Sequence, residues 1–199
     1  MLADLFPSRI CVLDTETTGV FGRDWWARVV ELGAVILDRD GSRLDTWSRL
    51  VMPDVLDEEL AREALAVNHL RAEDIRRLGQ PTRMAAADFM AWLRGHNVTW
   101  CTSFNAGFDR RGMEQMGVTR IRWASCVMLR ATEVMGAAGA AEERARPRPG
   151  DRYKWVKLSA AVQHFGVTVE GDPHRALADA LAAADVAIAI RRADLARAA

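Results

Sequence analysis

The chain has 199 residues with 27 basic and 27 acidic side chains, so its formal net charge is zero. Half the residues are apolar and 27% are charged, the balance of a soluble protein of one domain with a good core. Neutrality excludes a protein that coats duplex DNA over its whole surface, but not one that holds a short strand in a single cleft. No apolar run approaches a membrane span, and the first residues lack the basic and apolar regions of a signal peptide, so no membrane and a cytoplasmic location are expected.

Residues 9–16 read as a strand. Ile10, Val12, Asp14 and Glu16 fall on one face and Cys11 and Leu13 on the other. Both faces are apolar until the acids begin, which predicts a central strand. Residues 28–38 and 43–51 form two more strands, and Asp40-Gly41 between them is a hairpin signal. Helical patterns follow at 57–66, 71–78 and 81–93, the last opening on Gln80-Pro81-Thr82. A fourth strand is predicted at 98–103, a helix at 106–116, a short fifth strand at 121–124 and a helix from a Ser125 cap to about Met135. A helix at 157–165 stops at Gly166, and the last and longest runs from His174 to the C-terminus. From Gly136 to Arg152 the residues are small or charged, and a flexible basic loop, open to a frayed helical start, is expected there. The order predicts a single α/β domain with a mixed central sheet of about five strands flanked by helices. Cys11, Cys101 and Cys126 show no zinc or redox spacing, and the first and second read as buried thiols.

Three short stretches carry chemistry. Asp14 and Glu16 lie two apart at a strand end, so their carboxylates project together and repel unless a cation lies between them. Taken alone, they could simply mark the solvated end of that strand. Asp109 follows Asn105 in a helical first turn, where an acid also suits the helix dipole. Asp179 shares a helix face with Ala182, Val186 and Ile190; the reading assigns it no arginine or lysine at i±3 or i±4 and leaves a basic partner from elsewhere in the fold open. A buried carboxylate costs several kcal/mol unless it is paired or metal-bound. His174, five residues earlier, is then a candidate base, since histidine exchanges protons near neutral pH. If they converge, four carboxylates offer hard oxygen donors for magnesium or manganese, and two such ions beside a base can hydrolyse a phosphodiester.

Together, Asp-Thr-Glu-Thr-Thr-Gly at 14–19, Asn-Ala-Gly-Phe-Asp at 105–109 and His-Arg-Ala-Leu-Ala-Asp at 174–179 resemble the three motifs of the DEDDh (DnaQ-like) exonucleases. That family includes the proofreading epsilon subunit of bacterial DNA polymerase III, ribonuclease T and TREX-type nucleases. The resemblance implies a ribonuclease H-like fold, two Mg²⁺ or Mn²⁺ ions per site and 3′-to-5′ hydrolysis releasing nucleoside 5′-monophosphates. It implies Asp14, Glu16, Asp109 and Asp179 as metal ligands, with His174 activating the attacking water. Thr15, Thr17, Thr18, Phe104 and Asn105 would bind the terminal nucleotide. Phe104 stands where many relatives carry histidine or tyrosine. Val67-Asn68-His69-Leu70 resembles the family's Val-His-Gly-Ile segment, with His69 in place of the usual glycine, so no specific contact is carried over there.

The expected partner is the 3′ end of a single-stranded nucleic acid. DNA is favoured over RNA on the epsilon-like spacing of the middle segment, and a polymerase or repair protein is open as a further partner. The rival readings are an RNA 3′-end trimming enzyme of the same family and a non-catalytic nucleic-acid or polymerase-binding module. The catalytic motifs do not separate DNA from RNA. Residues 144–157 hold six basic side chains against one acid, contain the only two lysines, Lys154 and Lys157, and interleave Tyr153 and Trp155. Such a mixture suits phosphates and bases of a single strand, and equally a solvated loop with Trp155 in the core. Trp25-Trp26 could also stack on bases.

Overall fold

A computed structural model describes residues 8–21, 23–141 and 153–198. β1 (Ile10–Thr17), β2 (Val29–Leu37) and β3 (Arg43–Met52) form an antiparallel meander. α1 (Glu58–Val67) and α2 (Ala72–Leu78) follow, then β4 (Gln80–Pro81), α3 (Thr82–Gly95) and β5 (Trp100–Thr102). The chain continues through α4 (Ala106–Gln115), β6 (Arg122–Trp123), α5 (Val127–Ala141), α6 (Leu158–Phe165) and α7 (Ala176–Ala198). The sheet order is β4-β3-β2-β1-β5-β6, with β5 and β6 parallel to β1. The mixed α/β sheet predicted from the sequence is therefore present, with six strands rather than about five.

The extra strand is β4. Gln80 and Pro81 pair with Val51 and Met52 at the sheet edge before α3 begins, where sequence reading saw only a helix start. Proline has no N–H to give a ladder and is tolerated only at such an edge. The β2–β3 hairpin turns at Gly41, whose φ is +93°, as the Asp-Gly signal requires.

β1 is central because both of its faces are covered. Ile10 and Val12 join Val35 and Leu37 under α5, α6 and α7, whereas Cys11 and Leu13 pack with Leu32, Ala34 and Ile36 against α3 and α4. Cys11 and Cys101 are register partners on β1 and β5, both buried and free thiols. A third, smaller cluster seats α1 and α2 against Val30. α7 lies on β2 and β1 with Ala182, Val186 and Ile190 buried, the face read from its spacing.

α5 continues to Ala141 beyond a non-helical residue, Gly136, so residues 137–141 are helical, at the point where the loop reading allowed a frayed helical start. The rest of that loop, residues 142–152, lies outside the described residues. Among the described residues no helix is long and apolar enough to cross a membrane.

Candidate active site

Three features of the fold bring the acids together. The period of β1 sets Asp14 and Glu16 on the α7 side, at the end of the strand where the register with β2 shifts. The first turn of α7 then approaches β2 closely at Gly33, the register partner of Asp14. A Cβ on Gly33 would lie 2.1 Å from Leu177 N and 2.3 Å from the Ala176 carbonyl carbon, so only glycine admits the helix. Two residues beyond Leu177, Asp179 reaches the cluster. Carboxylate oxygens of Asp14, Glu16 and Asp179 all lie within 4.8 Å of one another.

Asp109 comes from α4, on the opposite side of the sheet. Its Oδ1 accepts from the Thr15 backbone N–H at 2.9 Å and the Thr15 hydroxyl at 2.8 Å. It is buried and near enough to raise the pKa of both Asp14 and Glu16, yet it is not in the group of three. The structure therefore gathers three of the four predicted carboxylates and ties the fourth to the backbone between two of them.

Crowding of like charges shows in the proton affinities. Burial raises the Asp14 carboxyl well above its usual range, and Asp109, Glu16, Asp179 and Glu31 push it the same way. Burial, with Asp179, Glu31 and Asp109, moves Glu16 up to about 8. Burial moves Asp109 to about 6, against the Ser103 and Thr15 hydroxyls, which favour the charged form. Asp179 is raised by burial while the His174 ring and backbone N–H act in the other direction. A compact set of oxygen donors that repel one another fits a hard divalent cation.

Two residues here escaped the sequence reading. Arg175, one turn before Asp179, is the basic neighbour it passed over. Its guanidinium binds Glu31 of β2 instead, at 2.6 and 3.1 Å, and Glu31 also accepts from the Ala176 N–H at 3.1 Å. Glu31 is the register partner of Glu16 and is buried. It thus caps the start of α7 and holds a counter-charge beside Glu16, whose pKa Arg175 lowers. A buried acid in an apolar strand was the available signal.

His174 is exposed just before α7, in a left-handed conformation with φ +62°. It lines a groove of about 810 Å³ with Asp179, Phe104, Asn105, Trp155 and Lys157. Lys154 lies along the same groove, so the described end of the basic segment borders the site. The threonines face inward. The Thr17 hydroxyl donates to Gly19 O at 2.6 Å; that of Thr18 donates to Trp26 O at 3.2 Å and accepts from Arg28 N at 2.9 Å. Trp25 is 81% exposed and stands edge-on to Trp26 at 6.0 Å between ring centroids.

The sequence profile of the RNase_T exonuclease family matches residues 11–187. An uncharacterized exonuclease, CP81, of Escherichia phage 186 is 30% identical over 183 residues, covering 84% of this chain and 80% of that protein. The nuclease domain of 3′hExo, a DEDDh family member solved bound to rAMP, superposes with a TM-score of 0.65 at 16% identity, over 91% of this chain and 90% of that one. Exonuclease I of E. coli, solved in complex with a 5cy-dT13 oligonucleotide, gives a TM-score of 0.68 at 16% identity, over 93% of this chain and 41% of that one. At such identities these likenesses show the ribonuclease H-like fold alone. With the profile spanning most of the sequence, the chain belongs to the RNase_T exonuclease family, and its three motifs follow the DEDDh, DnaQ-like pattern.

Proposed function

We propose that this protein removes nucleotides from the 3′ end of a single-stranded nucleic acid, DNA in preference to RNA, with two Mg²⁺ or Mn²⁺ ions. The observation that carries the reading is the meeting of Asp14, Glu16 and Asp179 within 4.8 Å, with Asp179 also lining a groove that holds His174. Asp14, Glu16 and Asp179 would hold the cations, with Asp109 completing the set once one oxygen turns from Thr15. Bound cations supply Lewis acidity at the phosphate, ease ionisation of water and offset charge on the leaving oxygen.

The remaining work falls to the chain itself. His174 accepts the proton of the attacking water while the new phosphorus–oxygen bond forms and the bond to the 3′ oxygen breaks. The product is a nucleoside 5′-monophosphate. Phe104 and Trp155 give the groove apolar walls for the terminal nucleoside, and Lys154 and Lys157 give it positive charge for phosphates. Thr15, Thr17 and Thr18 act through their order: their hydroxyls fix Asp109 and the turn after β1, leaving backbone groups to meet the nucleotide.

The test is a degradation series with 5′-labelled single-stranded DNA, duplex DNA and RNA, in Mn²⁺ and in chelator, with Asp14→Asn as control. Stepwise shortening of single-stranded DNA that stops in chelator and in the variant supports the proposal. Internal cleavage, or binding with no cleavage of any polymer, refutes it. Faster loss of RNA would transfer it to the RNA-trimming reading, for which the groove walls are equally suited.

A further inference from the structure

The end of α1 has the hydrogen-bond pattern of a helix that finishes on glycine. Leu70 N donates to Leu65 O at 2.9 Å and His69 N to Ala66 O at 3.4 Å. In this pattern the residue after the cap is left-handed, and glycine is its usual occupant. Here it is His69, with φ +53°. A side chain is strained in that conformation, and His69 is exposed, so burial in the core does not account for it. Strain of this kind gathers at functional sites.

What the side chain meets is His174. The two imidazoles stand perpendicular, at 89°, with centroids 6.4 Å apart. The two residues come from very different surroundings. Asn68, next to His69, is buried, and its amide donates to Thr17 O at 3.1 Å, fixing the end of α1 to the strand that carries Asp14 and Glu16. His174 sits on an exposed turn after Gly171, whose φ is +88°. A ring on such a turn has several rotamers open to it, and a neighbour across it removes some. Ordering the reacting group before the reaction raises the rate without any new bond.

We propose that His69 is a positioning residue: held out by a left-handed helix end that is anchored to β1, its ring packs edge-on against His174 and keeps that imidazole turned toward the acidic cluster. The inference rests on the reading of His174 as proton acceptor. It accounts for a histidine at a backbone position made for glycine.

The experiment compares the full chain with its His69→Gly, His69→Asn and His69→Phe variants. Three quantities are measured: melting temperature, kcat and KM on 5′-labelled single-stranded DNA with Mn²⁺, and the NMR signals of the His174 ring nitrogens in chelator. His69→Gly is expected to melt higher than wild type, because the strain is gone. Its kcat should fall about tenfold with KM changed less than about twofold. His69→Asn, which tolerates the left-handed conformation but has no ring, should follow His69→Gly. His69→Phe keeps a ring at the contact and should retain kcat within about threefold. The His174 signals should move or broaden in the glycine variant and return toward wild type in the phenylalanine one. Unchanged kcat and unchanged His174 signals in His69→Gly would overturn the proposal. So would a loss confined to KM, which would make His69 a substrate contact. If wild type degrades no polymer, the exonuclease reading has failed, and the His174 signals alone still decide whether His69 holds that ring.

Discussion

Gly33→Ala tests how the acidic cluster is assembled. The new Cβ would lie 2.1 Å from Leu177 N, 2.3 Å from the Ala176 carbonyl carbon and 2.5 Å from Leu177 Cα. All three are backbone atoms, so no side chain can swing aside. Restoring van der Waals contact requires the first turn of α7 to retreat by about 1.5 Å. Overpacking of this kind costs roughly 1–3 kcal/mol of stability, which a domain of this size can survive. Asp179 rides on that turn and would leave Asp14 and Glu16 by a similar distance. A misplacement near 1 Å can cost about a hundredfold in rate. The variant should stay folded by circular dichroism, bind Mn²⁺ more weakly by calorimetry and lose about two orders of magnitude in kcat. Gly95→Ala, at a position with no atom within 4 Å of the added carbon, controls for the substitution itself. A folded Gly33→Ala with wild-type Mn²⁺ affinity and kcat would show that the approach of α7 at Gly33 does not set the geometry of the acids.

In chelator, stability should fall as pH rises. Glu16 at about 8 and Asp109 at about 6 stand above their ordinary values of 4.5 and 3.8, so the native state keeps protons that the unfolded chain releases. Their contribution is complete below about pH 4 and lost through about pH 8. The melting temperature should decline across that window, and saturating Mn²⁺ should raise it most at the alkaline end while releasing protons; a flat profile in chelator would contradict the shifts. His174→Ala should leave Mn²⁺ affinity within a few-fold and lower kcat about a hundredfold or more; retained kcat with raised KM would make the imidazole a phosphate ligand. Changing Arg144, Arg146 and Arg148 together to alanine should weaken single-strand binding and reduce the slope of log K against log salt by about 2. An unchanged slope would take that segment off the nucleic-acid path.

The parts of the site that lay open to sequence reading are those set by local spacing. Two acids two apart on an apolar strand must share a face. Asp179 on a helix with Ala182, Val186 and Ile190 had to meet the interior. The parts that stayed closed depend on partners far apart in sequence. Glu31 and Arg175 are 144 residues apart and meet only because β2 lies beside β1 and α7 crosses both. The clasp of Asp109 by Thr15 spans 94 residues. Gln80–Pro81 reads as a helix start because proline suits one; only the neighbouring edge of β3 makes it a strand. Nothing local marks His69 as left-handed either, since residues 67–70 contain no glycine to announce the turn.

These differences divide the site by mechanical character. Asp14 and Glu16 stand on the central strand, Asp179 on a helix packed into the sheet and Asp109 in a buried turn locked by two hydrogen bonds. Elements of this kind bring the carboxylates of Asp14, Glu16 and Asp179 together through the packing of the fold itself. The repulsion among them must then be met by bound protons, by the Arg175 charge or by metal, and the raised proton affinities are the first of these. His174 is placed differently, on an exposed left-handed turn beside the groove. A rigid cation cradle and a separately mounted imidazole suit a strand that must be fed forward after each cut. On the proposed reading, the acids would hold the cations while the imidazole adjusts to each new 3′ nucleotide within the range that His69 leaves it.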